Sequence, residues 1–78
     1  MSKYDPIYNL LRDKSGPVEM SFAALAELLE GGLPTSAYRH GAWWSSDDDT
    51  HEQSRAWSAA GYHAEPDLAG HTVRFVPR

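Results

Sequence analysis

The sequence predicts an α+β fold of winged-helix-like order: helix, short strand, helix, helix, helix, then a C-terminal β-hairpin. Three observations carry that prediction. Apolar residues recur at helical spacing in stretches led by Ile7, Phe22 and Ala56. They alternate with polar residues in Val18-Glu19-Met20 and again in Thr72-Val73-Arg74-Phe75-Val76, as strand residues do. Glycine and proline punctuate these stretches at Gly16-Pro17, Gly31-Gly32, Gly41, Gly61 and Gly70.

Each element has a local cause. Asp5-Pro6 opens the first helix, with Asp5 as cap and Pro6 at the first helical position. Ile7, Leu10 and Leu11 form its apolar side, and Ser15-Gly16-Pro17 ends it. After Val18–Met20, Ser21 caps a second helix whose stripe is Phe22, Leu25, Leu28 and Leu29. Leu33-Pro34-Thr35-Ser36 starts a third, short helix that runs to about His40, with Ala42-Trp43-Trp44 following as an extended or turning piece. Asp49 or Thr50 caps a fourth helix, since Asp49…Glu52 and Thr50…Gln53 both fit a capping box. That helix carries Gln53, Ala56, Trp57 and Ala60 on one side and stops at Gly61. Tyr62–Glu65 and Thr72–Val76 are the hairpin strands, joined by Pro66-Asp67-Leu68-Ala69-Gly70, with Val18–Met20 as the third strand.

Composition bounds what such a chain can be. Residues 1–78 make one domain, and a chain of 78 residues has a thin core. With no cysteine there is neither a disulfide framework nor a thiolate metal site, so three Trp, four Tyr and two Phe must supply much of the apolar burial. No stretch has the apolar run of a signal peptide or a membrane span, which points to a soluble, cytoplasmic protein with no membrane partner. The formal charge of −4 argues against a non-specific coat on nucleic acid, because phosphate neutralisation drives that binding. Distribution matters more than the sum, however: Asp47, Asp48, Asp49 and Glu52 crowd four of the eleven acids into one short run.

Catalysis and metal binding find little footing. There is no Gly-rich phosphate loop and no nucleophile elbow, and a thin core can hardly enclose a pocket. The histidines at 40, 51, 63 and 71 have no His-x-x-x-His spacing, and Asp47–Asp49 lacks the alternation of a calcium loop. The chain therefore reads as a non-enzyme without metal or cofactor.

Binding is better supplied. Arg39 and His40 adjoin Trp43 and Trp44, and a basic-aromatic mix suits nucleic acid, where Arg meets phosphate or guanine and rings stack on bases. Tryptophans in so small a domain belong first to the core. Adjacent residues of an extended piece face opposite ways, so one ring of the pair is half exposed, and Trp44 is taken as that ring. His51, Gln53 and Arg55 fall on the helix before the hairpin, where a recognition helix presents its N-terminal residues to base edges. The acids just upstream suit the helix N-terminus and would repel phosphate.

The stretch from Leu33 to Tyr62 also resembles a family of small, poorly characterised bacterial and phage domains. The shared pattern falls on Leu33, Pro34, Ser36, Ala37, Ala42, Trp43, Trp44, Ser45, His51, Gln53, Trp57, Ala60 and Gly61, with Val73 and Phe75 closing it and Tyr4-Asp5-Pro6 opening it. The resemblance implies a DNA-associated module, attached in some cases to nuclease or restriction-type proteins. Two positions depart from the pattern: Tyr38 stands where Arg is usual, and Ser46 where Asn is usual.

Two readings stay open at this point. The first is a nucleic-acid-binding module, double-stranded DNA before single strands, using Ser36, Arg39, His40, Trp44, His51, Gln53 and Arg55, with Arg74 and the turn near Gly70 as the wing. The second is a protein-interaction module, such as a phage-encoded inhibitor or an assembly domain, using the exposed Trp and the acidic run. Oligomeric state is not written in the sequence.

Overall fold

In a computed structural model of the chain, residues 2–45 and 51–78 are described. The elements run in order as α1 (Asp5–Leu11), β1 (Val18–Ser21), α2 (Phe22–Leu28), α3 (Thr35–Arg39), a 3-10 turn (Gly41–Trp44), α4 (Glu52–Ala59), β2 (Tyr62–Asp67) and β3 (Thr72–Pro77). The fold is α+β, and its three strands form one antiparallel sheet in the order β1-β3-β2. The expected pairing of Val18–Met20 with the closing hairpin is found, with Val18 opposite Phe75 and Met20 opposite Val73. Because side chains alternate along a strand, that register divides the sheet into two faces. Val18, Met20, Val73, Phe75, Ala64 and Tyr62 share the inner face, where Val73, Phe75 and Tyr62 are buried. Glu19, Ser21, Thr72, Arg74, Val76, His63, Glu65 and Asp67 share the outer one.

Helix ends are where the structure departs from the sequence expectation. Asp5 does not cap α1. It is the first helical residue, Tyr4 sits in the cap position without a side-chain cap bond, and the amide of Tyr4 donates to the hydroxyl of Ser2 at 3.2 Å. Ile7 and Leu11, one turn apart, are buried, whereas Leu10 is half-buried. Ser21 ends β1 and caps α2 at once, its hydroxyl accepting the Ala24 amide at 3.0 Å, so strand passes into helix with no loop. The stripe on α2 is narrower than expected. Phe22 and Leu25 are buried, but Leu28 is 40% exposed, and Leu29 reaches the core only because the chain has already turned extended at φ −107° and ψ 134°.

α3 stops at Arg39 rather than His40. The next residues form a 3-10 turn, not an extended piece, closed by the Trp43 amide on the His40 carbonyl and the Ser45 amide on the Ala42 carbonyl, each at 3.1 Å. α4 begins at Glu52 with His51 in the cap position. The expected caps Asp49 and Thr50 and the run Asp47–Asp49 lie outside the described residues. At the far end of α4, Gly61 adopts φ +86°, the left-handed conformation that stops a helix and that glycine takes without strain.

The hairpin is longer than expected and its connection shorter. Pro66 and Asp67 belong to β2, and residues 68–71 make the turn. Proline is tolerated there because β2 is an edge strand. The carboxylate of Asp67 accepts the Gly70 amide at 3.1 Å, and a Cβ at Gly70 would stand 2.7 Å from that same carboxylate. His71 follows at φ +53°. Its carbonyl accepts the Phe22 amide at 2.7 Å and its ring stacks on Phe22, so the hairpin turn is fastened to the start of α2.

The core is a file of rings. Phe22 stacks on Trp44 at 5.0 Å between centroids, Trp44 on Trp57 at 5.7 Å, and Trp57 lies against Phe75 at 5.6 Å. All four rings are fully buried, and each removes about 150–250 Å² from water. The Trp44 indole donates to the buried carbonyl of Ala37 at 2.9 Å. The Trp57 indole N–H, equally buried, has no partner among the described residues.

This contrast predicts different costs for the same substitution. Trp44→Phe orphans the Ala37 carbonyl and should destabilise by about 1–3 kcal/mol more than Trp57→Phe, which removes an N–H that has no partner among the described residues. Trp57→Ala, which empties the site, should cost about 3–5 kcal/mol. Urea denaturation of the three variants measures this; equal losses for the two Phe variants would show that the Ala37 bond anchors nothing.

Candidate nucleic-acid interface

α4 packs against α1 on one side and β2 on the other. Its inner face is Ser54, Ala56 and Trp57, all buried. The hydroxyl of Ser54 donates to the His51 carbonyl at 3.1 Å, and the Arg55 amide donates to the same carbonyl at 3.2 Å. His51 is thereby fixed through its backbone while its side chain stays exposed. Glu52, Arg55 and Ala59 recur at helical spacing along one stripe and are exposed. A groove of about 460 Å³ runs between this stripe and α1, with Asp5 and Tyr8 on the α1 side.

The residues named from sequence fall in three locations. Ser36, Arg39 and His40 are exposed on or just after α3, where the His40 amide donates to the Ser36 carbonyl at 2.9 Å. His51 is in the cap position of α4, and Gln53 and Arg55 are on it, but Gln53 is half-buried and its amide donates to the Trp43 carbonyl at 3.2 Å, joining the 3-10 turn to the helix. Arg74 is exposed on the outer face of the sheet, with Glu19 opposite it on β1 and Glu65 opposite it on β2. Its charge therefore stands in an acid-base-acid row rather than at the hairpin tip. Trp44 requires the plainest correction. At 0% exposure it has no face to offer a ligand; the half-buried ring of the pair is Trp43. A 3-10 turn also sends adjacent residues apart, about 120° at each step, so one ring had to turn outward, but sequence did not say which.

Sequence reasoning missed the surroundings of Trp43. Tyr4 meets it edge-on at 6.0 Å, and Tyr4 is itself buried. Burial, and secondarily the negative charge of Glu52, hold the Tyr4 hydroxyl above its ordinary pKa. A faint signal existed: Tyr4 is four residues before Tyr8 and seven before Leu11, on the apolar side of the first helix. Tyr38, one of the two departures from the family pattern, packs edge-on against both Phe22 and His71 at 5.4 Å. Ser46, the other, lies outside the described residues.

Among the described residues, no three His, Cys, Asp or Glu side chains gather as a metal site would require, and no helix is long and apolar enough to cross a membrane. A family model described as a domain of unknown function (DUF7662) matches residues 4–78. No curated protein and no solved structure matches the chain.

The burial of Tyr4, with Glu52 as the lesser cause, gives a pH dependence. The folded hydroxyl ionises above the ordinary 10.0, so stability tied to it is intact below that pH. Above it the unfolded chain ionises first and stability falls. Tyr4→Phe should remove this part of the alkaline loss, and Glu52→Gln should lower the Tyr4 pKa without restoring it fully, since burial is the larger cause. Tyrosinate absorbance followed against pH in the parent and both variants reads this; no difference between parent and Glu52→Gln would remove Glu52 as a cause.

Proposed function

We propose that the chain, which belongs to the DUF7662 family of domains of unknown function, is a non-catalytic, winged-helix-like module that binds nucleic acid, with duplex DNA as its first target. The observation that carries this reading is the chain order taken together with the sheet: helix, strand, helix, then α3 and α4, then a hairpin whose second strand lies between β1 and β2. That is the order of a winged helix with one short helix added, and α4 occupies the position of its recognition helix. The likeness is one of architecture, so function is argued from the side chains. Arg39 and His40 at the end of α3, and His51 and Arg55 at the cap and in the body of α4, supply exposed donors, and Trp43 takes the stacking role first given to Trp44.

Net charge is less opposed to this than it looks. Three of the eleven acids are Asp47, Asp48 and Asp49, and without them eight acids face seven bases. Three more, Glu19, Glu65 and Asp67, point to the outer face of the sheet. The resemblance to DNA-associated domains points the same way. A protein-interaction module is the second reading, favoured by Leu28, which is 40% exposed, and by that acidic sheet face.

Titrating a labelled duplex and a labelled single strand at two salt concentrations tests the proposal. Affinity should fall with salt at a slope of about −0.9 per phosphate neutralised. Arg39→Gln and Arg55→Gln should weaken binding and flatten the slope, whereas Trp43→Ala should weaken it at unchanged slope. Absence of binding to both probes at low salt would overturn the reading in favour of protein interaction.

A further inference from the structure

The exposed stripe of α4 borders two grooves. It meets the groove toward α1 through Glu52, Arg55 and Ala59, with Asp5 as a second carboxylate there. Its last turn borders a different groove, of about 380 Å³, lined by Arg55, Ser58, Ala59 and Arg78. Among the described residues no Asp or Glu lines that second groove. Two arginines and a serine line this one groove, with the small Ala59 beside them.

Arg78 is held there at two points. Its amide donates to the Gly61 carbonyl at 2.8 Å, extending the hairpin ladder past β3, and its guanidinium donates to the Ser58 hydroxyl at 3.2 Å. Ser58 in turn lies one helical turn after Arg55, on the same side of α4. Planar guanidinium groups with several donors each are suited to phosphate oxygens, and a pre-positioned side chain loses less rotamer freedom on binding.

We infer that Arg55, Ser58 and Arg78 form a single seat for a phosphate group at the C-terminal end of α4, occupied in the proposed complex by one backbone phosphodiester. The inference rests on the nucleic-acid reading for its occupant but not for its chemistry. It also shifts the electrostatic footing of α4 from its N-terminal residues to its last turn. Such a contact fixes position on the duplex and reads no sequence.

Two measurements on the full chain test the seat and the broader reading separately. In the first, inorganic phosphate is titrated into isotope-labelled protein. The amides of Ser58, Ala59, Gly61 and Arg78 should shift together and saturate, and the shifts should vanish in the Arg55→Gln/Arg78→Gln variant. No shift in the parent overturns the seat. In the second, a labelled duplex is titrated against salt in the parent, each single variant and the double variant, with melting temperatures as the control for folding. One shared phosphate predicts that the double variant loses about 0.9 from the slope. A loss of about 1.8 means two separate phosphates and overturns the shared seat. Unchanged duplex binding in the double variant overturns the seat while leaving the nucleic-acid reading standing. Phosphate-induced shifts without duplex binding support the seat and overturn that reading. An Arg78 that served only to complement the negative end of α4 would lower the melting temperature and leave both titrations unmoved, which also overturns it.

Discussion

The indole of Trp44 is the contact on which the remainder of the structure depends. It lies between Phe22 of α2 and Trp57 of α4, and its N–H reaches the carbonyl of Ala37 in α3. Three helices are thereby set by one side chain. Through Trp57 the same file of rings continues to Phe75 on the central strand, so sheet and helices are registered against each other by aromatic faces. A domain of this size has little apolar volume to spare, and concentrating it in a few large rings is an economical way to define one packing arrangement. The N–H of Trp57 has no partner among the described residues, so there the contact is one of shape.

What sequence made legible was whatever depends on neighbours along the chain. Ser21 as a cap, Gly61 as a stop and the alternation of Val73 and Phe75 all follow from local chemistry, and each is found. So is the joining of Val18–Met20 to the closing strand, because an alternating apolar segment needs a sheet to hide its apolar face. The misreadings share a different origin. Leu28 has helical spacing with Leu25, yet α2 ends there and Leu29 turns inward instead. Pro66 looked like a turn residue because proline cannot donate to a ladder, and only the strand order reveals that β2 is an edge.

The candidate interface was legible as a set of residue types and much less as an arrangement. That one tryptophan of the pair would face outward followed from adjacency. Which one depended on the 3-10 turn, whose hydrogen bonds leave no periodic mark in four residues. Arg74 shows the same limit. Its alternation with Val73 and Phe75 correctly predicted an outward side chain, but of the flanking glutamates Glu19 comes from a distant segment and Glu65 from across the hairpin turn, and only register brings them beside it. Arg78 gave no signal at all, since its contact with Ser58 crosses from the end of the sheet to a helix.

The strand order has a consequence for how the chain can be assembled during synthesis. The central strand is the last one in sequence, so β1 and β2 have no partner until β3 has left the ribosome. Phe22, Trp44 and Trp57 all emerge earlier, and the ring that completes their file, Phe75, arrives with that final strand. The sheet therefore closes only after its last strand is made, with non-local pairing as the slow step. Until then the nascent chain carries an uncovered aromatic surface of the kind that chaperones bind and that aggregates when they do not.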